Sequence, residues 1–381
     1  MFQILITTLI AYVVTFLAMP VIILIADKKK LYDVPDRRKL HTQPIASLGG
    51  IGVFLGFIFG NLVGVDYSGQ GQFQYLFAAA FLIFFIGLKD DIIALSATKK
   101  FLAQTIAAAL IVQMAGIRIT SFYGIGGFET LEPSLSVPLT YITIILIINA
   151  YNLIDGIDGL AGSLGLLSSL LFGTYFYFAG LPAYAAFAFA LSGSLMAFLI
   201  FNYHPAKIFM GDSGSLLVGL VLAVLSLKFI SVATSPESVL PLGSAVALGI
   251  SVLILPLADT IRVFTIRMLR GRSPFSPDRN HVHHLLIDRG FSHSTATFIC
   301  VTVNIVLIAA AYLLRGIGNT WIIAGLFFIC FMSMGLLHLT HPGRRIIVTP
   351  RYSGEAPGLR SVSSKVINID SKEELRSGNA Q

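Results

Sequence analysis

The chain has 381 residues, of which 12% are Asp, Glu, Lys or Arg, about half the roughly 25% of an ordinary soluble domain. Its 55% apolar content falls in repeated runs near 20 residues, the length of one helix across a bilayer. A water-soluble globule is thereby excluded, and the reading is all-α, a polytopic membrane bundle. Cys300 and Cys330 both lie inside apolar runs, so neither a disulfide framework nor a cysteine zinc site is available.

Eleven spans are expected, near 2–26, 46–65, 73–88, 101–117, 137–154, 160–179, 183–201, 213–232, 241–261, 295–314 and 320–339. The first has no basic residue before its apolar core and Lys28, Lys29 and Lys30 after it, so it reads as a retained helix, not a cleaved signal. Alternate loops differ sharply in charge. One set holds six Lys or Arg in 27–45, three in 89–100, one in 202–212, six in 262–290 and seven beyond 341. The other set holds only Arg118 and Arg315, with Lys228 near the far end of its span. The positive-inside rule makes the first set cytoplasmic, with the N-terminus outside and the C-terminus inside. The net charge of +7 therefore reports membrane orientation; no nucleic-acid partner is expected. Residues 1–340 form the membrane domain, and 341–381, rich in Ser, Gly and charge, read as a flexible cytoplasmic tail.

Polar residues at the ends of apolar spans are costly, which makes them functional suspects. All of the unusual polar segments fall on the cytoplasmic side: DVPDRRKLHTQPIASLGG (33–50), GLKDDI (87–92), NAYNLIDGIDGL (149–160), FNYHPAKIFMGDSGS (201–215) and RGRSPFSPDRNHVHH (270–284). The YGIGGF stretch in the outward loop 118–136 lacks the strand before it that a nucleotide-binding turn requires. Asn149, Asn152, Asp155 and Asp158 recur every third residue, a step that one straight helix cannot aim at a single point. Gly156 and Gly159 offer a break that lets both carboxylates turn to a common centre; an Asx capping cluster is the alternative.

Asp90 and Asp91 end the third span and Asp212 opens the eighth, so five carboxylates meet on one face. A hard divalent cation such as Mg²⁺ resolves their repulsion. The glycines around Asp212 are expected to make a tight turn whose free N–H groups receive an anion. His281, His283 and His284, beside Arg272, Asp278 and Arg279, fit a grip on diphosphate better than a zinc site. Lys39 and His41, with Arg37 and Arg38, form a second basic group for phosphate or anionic lipid. Phe209 is placed either to stack on a base or to anchor the interface.

These five segments, in this order, resemble the polyprenyl-phosphate N-acetylhexosamine-1-phosphate transferases, the membrane superfamily that includes phospho-MurNAc-pentapeptide translocase. The likeness runs from about residue 33 to 293, carried by NAYNLIDGIDGLAG, PAKIFMGDSGS and SPFSPDRNHVHH. It implies Mg²⁺, with Mn²⁺ as a substitute, and attack of undecaprenyl phosphate on the β-phosphate of a UDP-amino sugar with release of UMP. SPFSPDRNHVHH looks like the branch that uses UDP-N-acetylglucosamine to begin O-antigen, teichoic acid or related polymers; the pentapeptide-transferring branch ranks second. Position by position, Asp212 matches the metal ligand, with Asp155 beside it. Asn152, Asp155 and Asp158 match the central polar helix end, and Asn202 and Phe209 the neighbourhood of the nucleotide. Asp90 and Asp91 match the pair that activates the lipid phosphate or helps hold metal, and His281, His283 and His284 the diphosphate and sugar motif. The run around Lys39 and His41 departs from the translocase pattern.

Direct in-line attack by the lipid phosphate is the expected mechanism, with a covalent aspartyl-phosphate as its rival. The expected place is the bacterial inner membrane with the site facing the cytoplasm, and the oligomeric state, monomer or homodimer, is left open. A transporter of nucleotide-sugars or lipid-linked sugars is the reading from another class. It calls for repeated acidic segments in two equal halves, and eleven spans without such a repeat do not supply them.

Overall fold

A computed structural model describes residues 1–31, 45–273 and 280–340, together with the antiparallel pair Ile346–Ile347 and Val366–Ile367. Lys39, His41 and Arg279 lie outside the described residues. Apart from that two-residue pair, a bridge between Ser121 and Thr130 and a bridge residue at Ile45, the described secondary structure is helical: α1 Phe2–Lys29, α2 Gly49–Gly64, α3 Gln72–Ile92, α4 Ala97–Ala109 with a π-helical turn at Leu110–Met114, α5 Pro133–Ile154, α6 Leu160–Phe178, α7 Pro182–Asn202, α8 Gly211–Ala233, α9 Ala245–Val252, α10 Ile254–Leu269, α11 Val282–Ile287, α12 His293–Leu313 and α13 Asn319–Leu339. A short 3₁₀ turn, Ile125–Gly127, lies in the loop between α4 and α5. Backbone groups cannot be left open in hydrocarbon, so long apolar runs close their hydrogen bonds within helices.

Among the described residues, seven helices (α1, α5, α6, α7, α8, α12 and α13) are long and apolar enough to cross a membrane. The pair α9 and α10 is apolar enough together but bent by 78°, the form of a broken span or a re-entrant loop. The other three expected spans are less distinct: α2 has 16 residues, α3 carries Lys89, Asp90 and Asp91 in its last turn, and α4 has 13. Helix ends follow the local chemistry. Lys28 and Lys29 close α1 at the negative end of its dipole, Pro133 and Pro182 open α5 and α7, and the Ser292 hydroxyl accepts the Thr295 N–H at 3.2 Å to cap α12.

α8 is the axis of the bundle, apolar all round and buried along most of its length against α2, α3, α5 and α6. The bend between α9 and α10 falls just before Pro256, which has no N–H to give. Asn304 on α12 covers the break, accepting the Leu255 N–H and donating to the Val252 carbonyl, both at 3.2 Å. Ser168 on α6 donates to the same carbonyl at 3.3 Å. Irregular backbone within a span is thus satisfied by protein, and α10 leaves the break on a new course.

Candidate active site

The ends of α3, α5 and α7 and the starts of α4, α6 and α8 meet in one place. Gly211 starts α8 with φ +71°, and a Cβ there would lie 2.2 Å from the Ser47 carbonyl oxygen and 2.7 Å from Asp91 Oδ2. Only glycine fits. The turn exposes the first amides of α8, and Asp91 receives them: the Asp212 N–H donates to Oδ1 at 2.6 Å and the Ser213 N–H to Oδ2 at 3.0 Å. The expected anion at this helix start is therefore the protein's own carboxylate, reaching across from α3. Asp90, the next residue back, faces elsewhere. Its Oδ1 accepts the Leu95 N–H at 2.6 Å and its Oδ2 meets Lys100 Nζ at 2.5 Å.

Lys100 on α4 also reaches Asp212 Oδ2, at 2.6 Å, so one ammonium bridges two carboxylates. Asn152 on α5 donates to Asp212 Oδ1 at 2.8 Å and to Ser215 Oγ at 3.0 Å, which fixes the Asp212 rotamer. α5 ends at Ile154, and Asp155 is the first residue past it. Among the described residues no group hydrogen-bonds its carboxylate. Burial, and then the charges of Asp212, Asp91 and Asp158, push its carboxyl up to about 8.

Asp158, three residues on, stands in a different setting. The expected break is present, with Gly159 at φ +76°, and Asp158 takes partners that Asp155 does not share. Asp158 Oδ2 meets His204 Nδ1 at 2.7 Å and accepts the Ala206 N–H at 3.2 Å, while Oδ1 lies 3.0 Å from His293 Nδ1. Burial pushes this carboxyl up, but the bonds from His293 and His204 outweigh it and hold it below the usual carboxylate range. Asn202 works on the backbone, accepting the Gly159 N–H at 2.9 Å and donating to the Ile208 carbonyl at 2.8 Å. The main chain of Phe209 pairs with the start of α2: its N–H donates to Ala46 and its carbonyl accepts from Gly49.

The histidines lie on and beside the short helix α11. His281 and His283 are buried, with parallel rings 5.7 Å apart. His284 is half-buried, its ring 4.4 Å from that of His283. Burial, then the neighbouring His284, His281 and His293, keep His283 well below the usual histidine range, so it is neutral. The expected cationic grip therefore cannot draw its charge from His283.

A nearly apolar cleft of about 620 Å³ lies between α4, α5 and α10. Its lining includes Phe101, Val137, Ile145 and Phe264, and Asn149, bonded to Gln104 at 2.8 Å, marks the end toward Asn152. The lining is mainly aliphatic and aromatic and contains no glycine.

Comparison with known proteins now adds to this geometry. The chain matches glycosyl transferase family 4 over residues 73–230, the stretch that carries Asp90, Lys100, Asp155 and Asp212. It is 33% identical over 335 residues to a decaprenyl-phosphate N-acetylglucosaminephosphotransferase of Mycobacterium tuberculosis, covering 80% of each chain. The chain belongs to glycosyl transferase family 4. A Salmonella typhi undecaprenyl-phosphate alpha-N-acetylglucosaminyl 1-phosphate transferase is 31% identical over 327 residues, 82% of this chain and 84% of that one. A Bacillus subtilis protein named as a probable undecaprenyl-phosphate N-acetylglucosaminyl 1-phosphate transferase is 29% identical over 338 residues, 88% and 92% of the two chains. The glycosyl transferase is thus a membrane enzyme of the phosphotransferase type.

Sequence reasoning missed several residues of this candidate site. Lys100 counted only toward loop charge, because nothing local ties a residue of α4 to Asp212, 112 positions away. His204 stood inside a highlighted segment, and only the fold pairs it and His293 with Asp158. Asp259 and Arg262 offered a readable signal, since they are ionisable residues at the end of an apolar span.

Proposed function

We propose that the enzyme transfers N-acetylglucosamine 1-phosphate from UDP-N-acetylglucosamine to undecaprenyl phosphate, giving undecaprenyl-diphosphate-N-acetylglucosamine and UMP and starting a cell-surface polysaccharide. The observation that carries this reading is the juxtaposition of an apolar cleft with a group of four carboxylates, Asp90, Asp91, Asp155 and Asp212, of which Asp90 and Asp212 share Lys100. The cleft suits a polyprenyl tail. Lys100 meets only Asp90 and Asp212 of the four, and Asp155, half-buried and without a hydrogen-bond partner among the described residues, fits beside Asp212 a hard divalent ion with few protein ligands, the usual Mg²⁺ arrangement. Asp212 and Asp155 would hold it, and when bound it supplies charge neutralisation to the diphosphate.

The protein's own part is positioning. Asn152 and Lys100 orient Asp212, Asp91 locks the α8 start on which Asp212 sits, and Lys100 offers its ammonium to a phosphoryl oxygen. An oxygen of the lipid phosphate attacks the β-phosphorus in line, the bond from that phosphorus to the bridging oxygen breaks, and UMP departs with that oxygen. The acceptor is already an anion near neutral pH, so no general base is required.

The same contacts support eleven crossings with the N-terminus outside and the site at the cytoplasmic face of a bacterial inner membrane. The start of α2 pairs with the 209–210 segment, the end of α3 with the start of α8, and the start of α4 with Asp212. The starts of α6 and α12 meet around Asp158, and Arg289 just after α11 donates to the Leu337 carbonyl at the end of α13. Successive spans then alternate in direction, and the basic loops share the face that carries the site.

Purified protein supplied with labelled UDP-N-acetylglucosamine, undecaprenyl phosphate and Mg²⁺ is expected to form a lipid diphosphate and one UMP per product, and to stop with chelator. Absence of product with this and other UDP-amino sugars would reject the reading. Stoichiometric UMP release without the lipid would reject direct attack.

A further inference from the structure

α10 carries a buried ion network that the reaction scheme above does not use. Asp259 is 1% exposed, and both its oxygens are engaged. His281 Nδ1 donates to Oδ2 at 2.7 Å, while the Val282 N–H and Arg262 Nη2 donate to Oδ1 at 3.0 and 3.1 Å. Arg262 also donates to the carbonyl of Asn280. One carboxylate thus holds the side chain at the N-cap of α11, its first amide and a guanidinium that ties down the residue before it. A buried carboxylate with such partners sets geometry at high cost if it is removed.

The network also selects a tautomer. With the His281 proton held on Nδ1 by Asp259, Nε2 is left as an acceptor, and Arg267 Nη2 lies 3.5 Å from it. The His281 ring stacks parallel to His283. His283 in turn occupies the space beside Gly156, where a Cβ would fall 2.1 Å from His283 Nε2. Gly156 follows Asp155 directly, so a packed line runs from Asp259 through two imidazoles to the turn that presents Asp155. Such outer partners commonly fix the orientation of the groups that touch substrate.

We propose that Asp259 is a positioning residue of the transferase, which fixes the His281 tautomer and seats α11 so that His283 buttresses the Asp155–Gly156 turn. The inference rests on the transfer reaction proposed above for its kinetic consequence, but not for its structural one.

Asp259→Asn separates a tautomer role from simple packing. The amide keeps the shape and, through its oxygen, the bonds to Val282 and Arg262, but its NH₂ faces Nδ1 and drives the His281 proton to Nε2, toward Arg267. The expected result is a kcat about 10- to 100-fold lower with the donor KM within about twofold. Ring-nitrogen NMR of histidine-labelled full-length protein in nanodiscs should show His281 changing from Nδ1–H to Nε2–H. Asp259→Ala should in addition speed amide exchange across 281–288, which Asp259→Asn should leave slow. Wild-type kcat in Asp259→Asn, or an Nε2–H His281 in the unaltered chain, would overturn the inference. An unaltered chain without transfer activity would reject the proposed reaction, and the His281 tautomer would still decide the role of Asp259.

Discussion

Asp155 and Asp158 are three residues apart in one turn, yet they belong to opposite electrostatic regions. Around Asp155, burial and neighbouring carboxylates push its carboxyl up to about 8, and the Lys100 ammonium goes to Asp90 and Asp212. Around Asp158, two imidazoles and an amide serve a single carboxylate, held below the usual range. The first region is short of positive charge and suited to gain it from a ligand. The second is satisfied by the protein and suited to hold α6, α12 and the loop after α7 together. Identical side chains are assigned different work by their partners.

The largest effect that would sharpen this contrast is Asp212→Ala, expected to lower transfer about 10³-fold or more while the protein stays folded in the membrane, as read by lipid-diphosphate formation. Turnover near wild type would remove Asp212 from the centre. Next, Lys100→Met should cost about 10²- to 10³-fold in kcat. It should also lower the Mg²⁺ concentration for half-maximal rate, because the internal cation no longer competes for Asp212; an unchanged Mg²⁺ dependence would separate Lys100 from the metal.

The two regions should also divide by pH. Below about 8 the Asp155 carboxyl holds a proton that a metal must displace, so apparent Mg²⁺ affinity should rise up to about tenfold per pH unit and level off above. Titrations from pH 6 to 9 test this, and a flat affinity would show that Asp155 does not bind the ion. Asp158 is ionised across that range. Its stabilising contribution is complete above an unfolded-state pKa of about 3.9 and is lost as pH falls through its lower folded value. The smallest effect expected is for Asp158→Asn: about tenfold in transfer, and a thermal midpoint lower by about 2–4 °C near neutral pH, in a scanned unfolding experiment. A loss equal to that of Asp212→Ala would dissolve the distinction.

Much of this was legible in order along the chain. Apolar runs of bilayer length mark the membrane class, and the Asp-rich segments at the ends of α3 and α5 and the start of α8 are the ones that the fold gathers. Such properties are local, since burial in lipid demands about 20 apolar residues whatever surrounds them. The shorter α2 and α4 blurred where spans begin because neighbouring protein, not lipid, covers much of α2, and α4 continues as a π-helical turn.

Partnership was not legible. Sequence alone set Asp90 beside Asp91, and the fold sent one to Lys100 and the other to the amides of α8. Sequence put three histidines in one motif, and only the packing of α10 against α11 gave His281 a buried carboxylate and pressed neutral His283 against Gly156. Composition and period fix which residues must avoid lipid. Which of two like charges finds a cation depends on distances of a few ångströms between segments a hundred residues apart, and those exist only once the helices have packed.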